Sequence, residues 1–357
     1  MTVPTAPPAP AAGILGRCRA VVRPALAAAV GRLHPWTGEM AAYALGWSDV
    51  DGTPDPGASE GKGVRQALAV LGAEAAGADA EAAVAGAVAV ELVHAFSLLH
   101  DDIMDGDGTR RRRETVWKAY GTGPAVLAGD ALFALAVRTL AEAPVTGTAL
   151  AEAPLAAVRR LCGTLGDLVR GQADDLLFET RPWTGPGAVR PDEYRAMAEN
   201  KTGALLGCAA ALGGSLGGAP AGTVTALDRA GRHLGVAFQA VDDLLGVWGD
   251  PAVTGKPVHG DLRRRKKTYP VIAALAVDGR AARELGALLD SPLLPGDDAA
   301  VAHAAALVEE AGGRAATLDE ARRHLDAARA CIDGAPLAPG AARDLHTLVA
   351  FLLHRAV

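Results

Sequence analysis

The chain runs to 357 residues, half of them apolar, with a formal charge of −6. Aromatic residues make up only 4%, while Ala, Leu, Gly, Arg and Glu dominate, a mixture that favours helices over sheets. The acidic balance argues against a nucleic-acid binder, whose footprint would be basic, although a local basic patch can still serve anionic substrates.

The opening MTVPTAPPAPAAG is dense in Pro and Ala and reads as a disordered tail over residues 1–13. Residues 14–357 then form one domain. No basic start leads into an apolar run, so the N-terminus is not read as a signal peptide. Apolar stretches are broken by Glu or Gly before the ~20 residues that a membrane span needs, so no span and a cytoplasmic location are expected. Cys18, Cys162, Cys208 and Cys331 are scattered and form no CxxC pair. They are expected to be small buried hydrophobes in a reducing compartment.

Apolar residues recur at three- and four-residue spacing over residues 83–100, 125–142, 154–179 and 225–247, which predicts long helices. Pro154 suits the first turn of its helix, where a missing N–H costs nothing. Segments 49–61, 181–190 and 249–265 hold the Gly, Pro and Asp of loops. Long helices joined by short loops predict an all-α, single-domain bundle.

Two of these helices carry carboxylates where an apolar surface is expected. Residues 83–100 lead straight into Asp101, Asp102 and Asp105, of which Asp101 and Asp105 share a helix face. Asp242 and Asp243 sit inside VAFQAVDDLLGVWGD. Unpartnered buried carboxylates are costly. Either each pair is matched by arginines, or the two face one cavity and share metal, with oxygen-only ligands suiting magnesium. Basic residues follow both clusters: Arg110, Arg111, Arg112 and Arg113 after the first, Lys256, then Arg263 to Lys267 after the second. Carboxylates for metal beside arginine and lysine make a site for polyphosphate. His100 adjoins the first cluster without a second nitrogen ligand and is read as a hydrogen-bonder. Trp117 and Trp248 are read as packing residues.

In this order the residues resemble the trans-isoprenyl diphosphate synthase (polyprenyl synthetase) family. ELVHAFSLLHDDIMD is similar to its first aspartate-rich motif and FQAVDDLLGVWGD to its second, while GKGVR, GDALFALA, GQADD, KTG and DLRRRKKTYPV fall in the family's sequence. The resemblance implies an enzyme that condenses isopentenyl diphosphate with an allylic diphosphate, with three magnesium ions when substrate is bound. It implies Asp101, Asp105 and Asp242 as metal ligands, supported by Asp102 and Asp243. Arg110, Lys201, Lys256 and Lys266 would hold the allylic diphosphate. Lys62, Arg65, His94 and Arg111 would hold that of isopentenyl diphosphate. Thr202 and Gln239 would set their oxygens near the developing cation, and Gln172 and Asp175 belong to the inner wall. The resemblance also implies a homodimer.

Two departures stand out. Gly246 replaces the third aspartate of the second motif, which implies altered metal affinity with activity retained. Gly63 and Gln66 stand where an arginine and a proline are frequent. Product length is expected to depend on Phe96, five residues before Asp101 and about 7.5 Å along the helix, and on the small Ser97. That pattern favours geranylgeranyl diphosphate over farnesyl diphosphate. A class I terpene cyclase on the same scaffold would need the metal motifs but could discard Lys62, Arg65, His94 and Arg111. A non-catalytic partner subunit would tend to lose its aspartates.

Overall fold

Helices make up nearly all of the regular structure, as the composition requires. A computed structural model describes residues 9–55, 61–143, 153–250, 258–290 and 297–353. Chain order begins with α1 (Ala9–Val30), α2 (Pro35–Ala44), α3 (Val64–Ala75), a 3₁₀ turn (Ala80–Ala83) and α4 (Val84–Met104). A two-stranded antiparallel hairpin follows, β1 (Thr109–Arg110) with β2 (Arg113–Glu114). Then come α5 (Val116–Tyr120), α6 (Thr122–Ala141), α7 (Ala153–Thr180) and α8 (Pro191–Ala198). A π-helical turn (Glu199–Gly203) leads into α9 (Ala204–Leu216) and α10 (Ala221–Trp248). The chain closes with α11 (Gly260–Arg263), α12 (Tyr269–Leu275), α13 (Arg280–Asp290), α14 (Asp298–Glu310), α15 (Gly313–Asp333) and α16 (Pro339–Leu353).

The four long periodic segments all form helices, and the fold is all-α. Helix α9, ALLGCAAALGGSL, is buried from Ala204 to Gly214 because α3, α4, α7 and α10 surround it. A helix with apolar residues all round belongs in that position. Small residues let its neighbours come close: a Cβ on Gly213 would lie 1.8 Å from the carbonyl oxygen of Ala69 on α3. Helix α4 packs on α3, α6 and α9, and α10 packs on α9 and α15, so the two aspartate-bearing helices flank the centre of the bundle. A smaller apolar cluster joins the end of α10 to α11–α14 through Val247, Leu262, Leu285, Leu289 and Val301.

Some expectations need correcting. Residues 9–13, read as tail, are the first turns of α1. The loop predicted over 249–265 contains a short helix, α11, and Lys256 lies outside the described residues. Cys18 and Cys208 are buried, but Cys162 is exposed. The stretch Ala80–Met104 and helix α6 are long and apolar enough to cross a membrane by length and composition, which the sequence reading had discounted; both lie within the bundle, packed on each other.

Candidate active site

The first cluster ends α4. Asp102 is buried and accepts a 2.7 Å hydrogen bond from Nε of Arg110. Asp105 accepts from Nζ of Lys266 at 2.7 Å. Burial pushes the Asp105 carboxyl up, but the charge and hydrogen bond of Lys266 outweigh it and leave the group below its ordinary value. Among the described residues no cation hydrogen-bonds Asp101: burial, with Asp105 adding to it, raises its carboxyl to about 6 against the opposing charges of Lys201 and Arg110.

The second cluster lies in the last two turns of α10. Asp243 is buried and accepts from the Tyr194 hydroxyl, the Tyr269 N–H at 2.8 Å and Nε2 of Gln239 at 3.0 Å. These partners are neutral, so burial raises its carboxyl to about 7. The hydroxyl of Thr202 donates to Oε1 of Gln239 at 3.0 Å, which joins the KTG segment to the second motif. The arginine-paired alternative therefore describes Asp102 and fails for Asp243. Asp242, half-buried beside it, shares with Asp101 an electrostatic influence on Arg65.

Lys201 and Thr202 sit on the π-helical turn, an extra-residue distortion that re-aims side chains and recurs at functional sites. Gly171 makes room for it: a Cβ there would lie 2.2 Å from the backbone nitrogen of Lys201. From this turn Lys201 Nζ reaches Oδ2 of Asp175 at 2.6 Å. Gln172 next to the glycine is buried with its Nε2 unpartnered.

A second basic set, Arg65 and Arg111, acts on His94 together with Arg110. Nη1 of Arg65 is 3.1 Å from Nε2 of His94, and its buried Nε has no partner. Burial, followed by the charges of Arg65, Arg111 and Arg110, takes His94 well below the ordinary imidazole value, so the ring is neutral and accepts from the arginine. Burial also lowers Arg65, against the attraction of Glu91 and Asp242. Arg111 and Arg112 form the hairpin turn with φ of +52° and +66°. Two-residue turns of this hand favour Asn-Gly, and strain borne by arginines points to a purpose beyond the turn. The Arg111 guanidinium lies against Gly61, where a Cβ would come within 2.5 Å of it. Lys62 stands 5.8 Å from the ring centroid of Phe351.

Phe96 is wedged edge-on between His100 (5.0 Å between centroids) and Phe133 of α6 (5.5 Å). Ser97 lies one turn before Asp101 and on its face, with its hydroxyl donating to the carbonyl of His94 at 2.9 Å. His100 lies 3.2 Å from the carbonyl oxygen of Val126, as a hydrogen-bonding role requires.

Several residues escaped the sequence reading. Arg19 of α1 donates to the carbonyl of Gly61 at 2.6 Å, and Glu91 accepts the N–H of Gln66 at 3.0 Å. Tyr194, Tyr269 and Glu320 hold the second motif from behind. Glu91 and Tyr269 lie inside recognisable motifs. Arg19 and Glu320 carry no local signal, since only the fold brings them in.

The family model of polyprenyl synthetase matches residues 57–307, which spans every one of these motifs. The chain belongs to the polyprenyl synthetase family. It is 46% identical to the geranylgeranyl diphosphate synthase of Mycobacterium tuberculosis, over 91% of this chain and 90% of that one. It is 45% identical to the (2E,6E)-farnesyl diphosphate synthase of the same organism, over 87% and 84%. The crystal structure of a polyprenyl synthetase from Streptomyces coelicolor superposes with a TM-score of 0.87 at 47% identity, covering 96% of this chain and 99% of that one.

The two aspartate clusters of this chain present oxygen donors only. Among the described residues no three His, Cys, Asp or Glu side chains converge closely enough to hold a metal by themselves. The donor chemistry nonetheless fits magnesium, which takes one or two carboxylates and completes its shell with water and substrate phosphates. Asp101, half-buried and without a hydrogen-bonded cation among the described residues, is the carboxylate most in need of one.

Proposed function

We propose that this polyprenyl synthetase is a magnesium-dependent trans-prenyltransferase that condenses isopentenyl diphosphate with an allylic diphosphate to a medium-chain product, geranylgeranyl diphosphate. One observation carries the reading: two separate basic sets flank a pair of aspartate clusters, which is one more diphosphate site than a cyclase of the same fold requires. Asp101, Asp105 and Asp242 would hold magnesium, with Asp102 and Asp243 fixing their surroundings. Bound magnesium would neutralise the leaving diphosphate as the allylic carbon–oxygen bond breaks.

The remaining work falls to the chain itself. Lys201, Lys266 and Arg110 orient the allylic diphosphate, and Lys256 would join them. Arg65, Arg111, Lys62 and neutral His94 position isopentenyl diphosphate so that its double bond attacks the cation, and the new cation then loses a proton to the departing pyrophosphate to leave the lengthened allylic diphosphate. The unpartnered Arg65 Nε is a donor awaiting an anion, and the left-handed backbone of Arg111 holds a second guanidinium on the hairpin turn. Thr202 and Gln239 place oxygens beside the developing charge, and the apolar walls exclude water. Catalysis then rests on positioning and electrostatics. The small Ser97 below Asp101 supports the twenty-carbon product. Helix α6 exposes Val126, Leu127 and Phe133, which supports a homodimer, and the enzyme is read as cytoplasmic.

The test is incubation of the purified protein with magnesium, isopentenyl diphosphate and each allylic starter in turn, with products read by mass. A dominant twenty-carbon diphosphate supports the whole reading. A fifteen-carbon product retains the reaction and overturns the length. No elongation with any starter overturns the synthase reading in favour of cyclisation.

A further inference from the structure

Helix α1 precedes the family-matched residues 57–307, yet it reaches the second basic set. Leu15, Cys18, Val22 and Leu26 are buried at three- and four-residue spacing, which lays one face of the helix on α3 and α4. Arginines edge that face, and each fastens a different element. Arg17 pairs with Glu74 of α3 and, at 3.1 Å, with Asp344 of α16. Arg23 stacks on the Trp47 ring, 3.7 Å from its centroid. The next residue, Ser48, accepts at its carbonyl from Arg113 of the hairpin at 2.6 Å.

Arg19 lies one turn before Arg23 on the same side of the helix and meets the GKGVR segment. Its Nη2 donates to the Gly61 carbonyl at 2.6 Å, and the same nitrogen lies 3.5 Å from where a Cβ of Gly63 would sit. Gly61 and Gly63 have φ of +81° and +68°, a left-handed geometry that glycine alone adopts freely. Lys62 is thus carried between two permissive residues, and the Arg19 guanidinium lies beside both. Gly61 also lies against the Arg111 guanidinium. The charge of Arg19 acts on Glu91 together with those of Arg65 and Arg111, so three guanidiniums gather round one glutamate.

We infer that Arg19 is a positioning residue for isopentenyl diphosphate, and that α1 thereby completes this site from outside residues 57–307. The flanking glycines leave the Lys62 backbone many conformations, and the hydrogen bond from Arg19 to Gly61 holds it next to Arg111. A cation fixed in this way meets the diphosphate without a further loss of chain entropy. The inference rests on the reading of two diphosphate sites given above.

The experiment is a calorimetric titration of isopentenyl diphosphate into the full-length protein with magnesium present, with KM for each substrate and thermal melts in parallel. Arg19→Met should weaken isopentenyl diphosphate binding and raise its KM about tenfold, while KM for the allylic diphosphate changes little. Arg19→Lys keeps a charged donor and should recover part of the loss. Arg17→Met frees α1 from Glu74 and Asp344 but keeps the bond to Gly61, so it should lower the melting temperature and leave both KM values unchanged. A folded Arg19→Met that binds isopentenyl diphosphate as wild type does overturns the inference while the two-site reading stands. So does an Arg17→Met variant with the same rise in KM, since general loosening of α1 then explains the effect. Wild type that binds no isopentenyl diphosphate overturns both. Should Arg19→Met fail to fold, Arg19→Gln is judged by the same outcomes.

Discussion

Lys266 and Asp105 lie far apart in sequence and meet as a 2.7 Å ion pair, which draws the basic loop after the second motif onto the end of the first. The contact leaves Lys266 half-committed: its ammonium has three donors, and the carboxylate takes one. Diphosphate can take the others without losing the ion pair.

Lys266→Met should therefore raise KM for the allylic diphosphate about tenfold or more, since a hydrogen bond to a charged group contributes roughly 1.5–3 kcal/mol. KM for isopentenyl diphosphate should change little. Steady-state kinetics with each substrate varied separately check this, and equal effects on both would contradict the division into two basic sets.

Glu320 is the buried hub behind the second motif. It accepts from Arg195 at 2.8 Å, Tyr269 at 2.9 Å and His324 at 3.1 Å. Burial alone would raise its carboxyl, but the hydrogen bonds from His324 and Tyr269 and the charge of Arg195 bring it to about 2. The folded chain thus holds this proton less tightly than the unfolded chain. Its stabilisation is complete above about pH 4.5 and disappears as pH falls towards 2. A shift of that size corresponds to roughly 3 kcal/mol. Urea midpoints measured from pH 7 to pH 3 should fall for wild type, while Glu320→Gln starts lower and falls less steeply.

Product length offers a paired test. Phe96→Ala opens the wedge between His100 and Phe133 and should lengthen the product. Ser97→Phe fills the face directly below Asp101 and should shorten it to fifteen carbons. Product masses from both variants decide, and an unchanged distribution for Phe96→Ala would remove Phe96 from the floor.

Gly171→Ala places a methyl 2.2 Å from the backbone of Lys201. Overpacking of this sort costs about 1–3 kcal/mol, and it pushes on the turn that carries Lys201 and Thr202. The variant should unfold at lower urea and lose kcat even where it remains folded. A fully active variant would show that the π-helical turn tolerates displacement.

Helical spacing alone revealed α4, α6, α7 and α10, because the period of a buried face is written along a single segment. The aspartate clusters were legible for a similar reason: ionised groups within apolar helices require a partner, whatever the fold. The basic runs could be read as phosphate-binding only in bulk. Which cation meets which carboxylate depends on how hairpin, π-helical turn and returning loop dock, and no local pattern encodes that docking. Composition and periodicity by themselves determined the all-α bundle, and the ordered motifs determined the family. The tertiary structure decided that Asp243 lies among neutral donors, that Glu320 stands behind Tyr269, and that Arg19 of α1 meets Gly61. Each of those contacts joins residues from separate elements, and their energies depend on distance and burial, which exist only once the helices have packed.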